Sequence, residues 1–205
     1  MITAALRELA ASGLEGLSLR SVAARAGVSA PAVYRHFHDK DDLVTAVAVE
    51  CADQLFQALT AAVADAPPDP LERFRATGIA YLRFAVAHPD YYRAVCVPGL
   101  LERAPEAQRA TMMQWQAGER AALAAAQAEG CLAELPVDDI LLTGSAAIKG
   151  LAHLILEGQL GPVDDARAEQ LAIAVTAALG SGFWPRSAPV QDPRTGKDHG
   201  RAARK

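Results

Sequence analysis

The chain has 205 residues, of which 51% are hydrophobic and 21% charged, so a real core can form and disorder throughout is excluded. Eleven aromatic residues against abundant alanine favour packed helices over a β-sandwich, since alanine is the best helix former and a poor strand former. The net charge of −4 excludes a globally basic nucleic-acid coat but leaves room for a local basic surface.

In chain order, Ile2, Leu6 and Leu9 repeat at helical spacing, and Ser12-Gly13 predicts a stop. Ser18 caps a second short helix that carries Leu19, Val22, Ala23 and Ala26 on one face and ends at Gly27. Ser29 opens a third, with Pro31 in its first turn, and Phe37 closes it. Asp39 begins a fourth that runs to about Ala64, where Pro67-Pro68-Asp69-Pro70 breaks it. Helices are predicted over 71–87, in a short piece at 90–96, from Pro105 to near Gly130, over 138–158, and from Asp164 to Leu179. Gly180-Ser181-Gly182 ends the last one. No alternating strand pattern of useful length and no internal repeat is found.

The expectation is therefore an all-α chain in three parts. Residues 1–46 form a three-helix head, 47–184 a larger helical domain, and 185–205 a basic tail with little to bury. Residues 1–15 hold Arg7, Glu8 and Glu15 without the apolar run of a secretory signal. The charge-free stretch Leu171–Pro185 is too short to span a bilayer. Cys51, Cys96 and Cys131 lie far apart and read as reduced, partly buried thiols. Together these features predict a cytoplasmic protein without a membrane partner.

Residues 18–37 read S-L-R-S-V-A-A-R-A-G-V-S-A-P-A-V-Y-R-H-F. Ala23 is small where two helices cross, and Gly27 can take the left-handed conformation of a tight turn. Val33 closes a miniature core with Val28, Val22 and Leu19, which makes this a helix-turn-helix. Its second helix presents Ala30, Pro31, Ala32, Tyr34, Arg35 and His36 outward, small, aromatic and basic groups that suit a major groove. Arg20, Arg25, Arg35 and Lys40 stand against Asp39 alone between Ser18 and Lys40, so the head is locally basic.

Ala26-Gly27-Val28-Ser29, then Tyr34-Arg35-His36-Phe37, then Lys40-Asp41-Asp42-Leu43 resemble, in order and spacing, the N-terminal DNA-binding region of TetR-family repressors. The resemblance implies phosphate contacts from Tyr34, His36 and Lys40, and backbone or base-edge contacts from Ser18 and Arg20. Base reading falls to the recognition-helix face that Ser29 opens, Ala30, Pro31, Ala32 and Arg35, with Arg35 able to bond guanine bidentately. Tyr34 as a capping aromatic and His36 as a surface histidine is the plainer alternative. The family usually carries a few basic residues before the first helix; here that helix begins at Met1, so either the start lies further upstream or the arm for the minor groove is lacking.

Five aromatics cluster at Phe74, Tyr81, Phe84, Tyr91 and Tyr92. This stretch, with Gly150-Leu151-Ala152-His153 later, is similar to the TetR C-terminal subclass named for a Trp-His-Gly motif. That motif reads Ile148-Lys149-Gly150 here. A small-molecule pocket lined by Tyr81, Phe84, Tyr92, Met112, Trp115 and His153 is one reading; filling of an ordinary core by the same side chains is the other. The helices at 138–158 and 164–181 are apolar on more than one face, which predicts a homodimer through a four-helix bundle, with Gly144 and Gly150 permitting close approach.

Neither a Gly-rich phosphate loop before a helix nor a Cys/His metal spacing is present, so no enzyme, cofactor or metal is expected. Two functions stay open. One is a dimeric repressor released from a palindromic double-stranded operator by a small apolar or amphipathic effector. The other is a helical binding module whose head no longer reads DNA.

Overall fold

A computed structural model describes residues 1–132 and 135–183, and every regular element in it is an α-helix. The predicted tail, 185–205, lies outside these residues. The head comprises α1 (Ile2–Gly16), α2 (Leu19–Ala26) and α3 (Ala30–Tyr34). Gly13, at φ 67° and ψ −179°, kinks α1 without ending it, so the predicted stop is a bend. Ser18 and Ser21 cap α2 reciprocally. The Ser21 N–H donates to Ser18 Oγ at 3.1 Å and the Ser18 N–H to Ser21 Oγ at 3.0 Å. Gly27 ends α2 at φ 67° and ψ 30°, where any side chain would be strained.

Leu9, Leu17, Val22 and Val33 are fully buried, and Phe37 nearly so. Val28 is corrected: it follows the left-handed turn, faces solvent and is 40% exposed. Phe37 follows α3 instead of lying in it, its N–H donating to the Val33 carbonyl at 3.0 Å.

α4 (Lys40–Asp65) starts from Asp39, whose Oδ1 accepts from the Asp42 N–H at 2.8 Å. Replacing Asp39 with Ala is expected to cost about 0.5–2 kcal/mol, read as a lower Tm in thermal unfolding. Leu43, Val47 and Cys51 on this helix are buried in the head core. The division predicted at residue 46 thus falls inside one continuous helix, because its apolar stripe serves both parts. Burial pushes the Cys51 thiol up to about 12; Cys96, expected to be partly buried, is exposed.

The larger part holds α5 (Pro70–Ala87), α6 (Pro89–Val95), α7 (Leu100–Arg103), α8 (Glu106–Ala128), α9 (Val137–Leu156) and α10 (Asp165–Phe183). The four-residue α7 is too short to show a period and is unforeseen. α10 runs through Gly180-Ser181-Gly182, where a stop is predicted. α5 is the central strut. It meets α4, α6, α8, α9 and α10, with Leu82 and Ala85 buried against Leu151, Ala152, Ala168 and Ala172. α6 and α7 lean the other way and add Ala94 and Leu100 to the head core. By length and composition alone α4 and α9 are apolar enough to cross a membrane, but each buries side chains in this core, Leu55 and Leu59 on one, Ile148 and Ile155 on the other.

Candidate nucleic-acid interface and ligand cavity

The capped α2, the glycine turn and the short α3 turn one face of the head outward. Ser29, Pro31, Tyr34, Arg35, His36 and Lys40 are exposed on it, Tyr34 by 51%, while Ala30 and Ala32 are half-buried. The inward side of α3 is Val33, fully buried, which fixes the rotation of the helix and therefore which side chains face out. Arg20 is exposed at the start of α2. Ser18 is half-buried at the start of α2, and its hydroxyl donates to Ser21 Oγ at 3.0 Å within the cap. Lys40 Nζ donates to the Glu15 carbonyl at 3.0 Å, so this lysine also holds the end of α1.

Arg25, though exposed, is paired within the head. Its Nε donates to Glu8 Oε2 at 2.5 Å, tying α2 to α1. That guanidinium bond, chief among several effects, holds the Glu8 carboxyl below its ordinary range. A depressed carboxyl contributes stability above its unfolded value and loses it as pH falls through the folded value. Acid titration followed by circular dichroism is expected to show the head weakening below the ordinary carboxylate range. Glu8→Gln should flatten that dependence.

Between α4, α5, α8, α9 and α10 lies a cavity of about 710 Å³. Tyr81, Met112 and Trp115 are on its wall, as predicted residues; Phe84, Tyr92 and His153 are not. Phe84 is buried against Leu55 and Leu59. Tyr92 is buried edge-on to Tyr81 at 5.7 Å, with its hydroxyl pushed up to about 12 by burial. His153 is exposed, because it projects from the outer side of α9.

The wall also contains Phe56, Phe74, Arg75, Thr77, Glu119 and Lys149, which the sequence reading did not assign to the pocket. The signal was available: Gln116 and Glu119 continue the stripe of Met112 and Trp115 at helical spacing along α8. Gly144 is needed here for a close approach inside one chain. A Cβ on it would lie 2.5 Å from Phe74 Cζ, so its predicted place in a dimer contact is corrected. Gly144→Ala should push the Phe74 ring into the cavity and destabilise by about 1–3 kcal/mol, checked by denaturant unfolding.

The outer sides of α9 and α10 are apolar and uncovered in the single chain. Ile173 is 44% exposed and Leu154 37%, away from the cavity, while Leu142, 68% exposed, lines it. Ile140, Leu151 and Ile155, from the same predicted interface, turn inward and complete the chain's own core.

A helix-turn-helix head on a helical domain with an internal cavity defines the class. A family model described as "Bacterial regulatory proteins, tetR family" matches residues 1–47, and one described as "Tetracyclin repressor-like, C-terminal domain" matches residues 74–179. The chain belongs to the TetR family.

Among curated relatives, the HTH-type transcriptional regulator BetI of Burkholderia cenocepacia is 40% identical over 76 residues, 37% of this chain and 39% of that protein. The chain thus matches well under half the length of these relatives. Among solved structures, a protein of unknown function from Rhodococcus sp. RHA1 is 28% identical, with 90% of this chain and 93% of that one covered and a TM-score of 0.74. The ketosteroid transcriptional regulator KstR2 of Mycobacterium tuberculosis, 20% identical over 90% of this chain and 93% of its own, shares the fold with a TM-score of 0.63.

Proposed function

We propose that this chain is a cytoplasmic, dimeric transcriptional repressor that binds a palindromic operator and leaves it when a small apolar or amphipathic molecule fills the cavity. The observation that carries the reading is the outward face of α3, where Tyr34, Arg35 and His36 stand exposed beside Arg20 with no acidic partner among the described residues. Such a face offers donors to phosphates and one guanidinium to a guanine edge. A head that had lost DNA reading would have no physical use for it.

Coupling follows from shared helices. α4 carries Leu55, Phe56 and Leu59 on the cavity and Val47 and Cys51 in the head core. Val95 of α6 touches both as well. A ligand that displaces α4 or α6 would change the separation of two heads in a dimer, so that they no longer match successive major grooves. A gel shift with DNA flanking the protein's own gene tests the reading. Binding there, and none to unrelated DNA of equal length, is expected; equal binding to both would refute it.

A further inference from the structure

We propose that the cavity selects an amphipathic cation, a molecule with an apolar body and one positively charged nitrogen seated against the Glu119 carboxylate. This rests on reading the cavity as the effector site, and it names the chemistry of the effector.

Glu119 lies on the wall of an otherwise aromatic and aliphatic chamber. Among the described residues its carboxylate has one hydrogen-bond partner, Thr77 Oγ1, at 3.5 Å, the outer limit for such a bond. That hydroxyl is better placed to donate to the Arg73 carbonyl of its own helix, at 3.1 Å. Burial pushes the Glu119 carboxyl up, and among the described residues no cation acts to bring it back. The other charges on the wall are matched or wet. Arg75 pairs with Glu72 at 2.6 Å, Arg120 with Asp138 at 2.6 Å, and Lys149 is exposed. Among the described residues, the interior of the chamber therefore holds one uncompensated negative group.

A carboxylate in apolar surroundings is costly alone and favourable beside a cation. An anionic ligand in the same space would add a like charge at low dielectric. Phe56, Phe74, Tyr81 and Trp115 line the same chamber and present ring faces and edges, of which the faces attract a desolvated cation. Arg75 Nε is buried without a partner, but its guanidinium is already neutralised by Glu72. It suits a neutral acceptor on the ligand, an ether or carbonyl oxygen, and not a second charge.

The test uses purified full-length protein and three probes with one ten-carbon chain, decyltrimethylammonium, decanoate and 1-decanol, each well below micelle formation, by titration calorimetry. The ammonium probe is expected to bind at least about tenfold tighter than decanoate, and Glu119→Gln to remove about that factor while leaving 1-decanol unchanged. Decanoate binding as tightly as the ammonium, or an unaltered ammonium affinity in Glu119→Gln, overturns the charge assignment and leaves the cavity as an effector site. Binding of none of the three overturns both. The probe comparison on the unmodified protein stands even if the variant folds poorly.

Discussion

Removing the outward side chain of Arg35 is expected to weaken operator binding by on the order of 1–3 kcal/mol and to relax discrimination at one base pair. The expectation follows from its position: exposed at the end of α3, with Val33 buried on the opposite side to hold the helix in register. Lys40→Ala should behave differently. A phosphate contact carries no base information, so all sequences should weaken alike and the salt slope of binding should fall by about one. Lys40 also bonds the Glu15 carbonyl, so the variant's Tm is measured alongside. A lower Tm with an unchanged salt slope would assign Lys40 to the head's own structure. Anisotropy titrations at several salt concentrations separate the two side chains.

The second large effect is on assembly. Leu154 and Ile173 are large apolar side chains left exposed on α9 and α10, and neither lines the cavity. Two copies of this face packed about a two-fold axis would form a four-helix bundle and remove both from water. Placing Asp at both positions buries charges in that bundle without touching the chain's own core. The double variant Leu154→Asp, Ile173→Asp is expected to sediment as a monomer with an unchanged helical signal. It should also lose most operator affinity, since one recognition helix covers only a few base pairs. A double variant that remained dimeric would place the interface elsewhere.

The head was legible in the sequence because each local signal there agrees with the next. Ser18, Gly27, Ser29 and Asp39 punctuate the helices where the caps and the left-handed turn are found. Val28 was misplaced because apolar character does not say which side of a turn a residue faces. Arg25 looked like part of a basic surface because its partner, Glu8, is seventeen residues away on another helix. The cavity was half legible. Tyr81, Met112 and Trp115 were found as bulky residues on helical faces, and Glu119 continues their stripe on α8, whereas Gly144 gains meaning only when α5 and α9 are packed together. Periodicity tells which face of a helix is apolar; it does not tell which apolar face meets a neighbour and which meets a void or a second chain. That is why Gly144, read as a point of close approach between two chains, lies against Phe74 of its own chain.

The central claim is that two chains act on one site through paired heads. The direct measurement is sedimentation of the protein with a palindromic duplex taken from its own flanking DNA, beside a duplex holding only half of that site. Two chains bound per palindrome are predicted, with half-sites about 10 base pairs apart and much weaker binding to the half duplex. One chain per duplex, binding the palindrome and the half-site with equal affinity, would contradict the account.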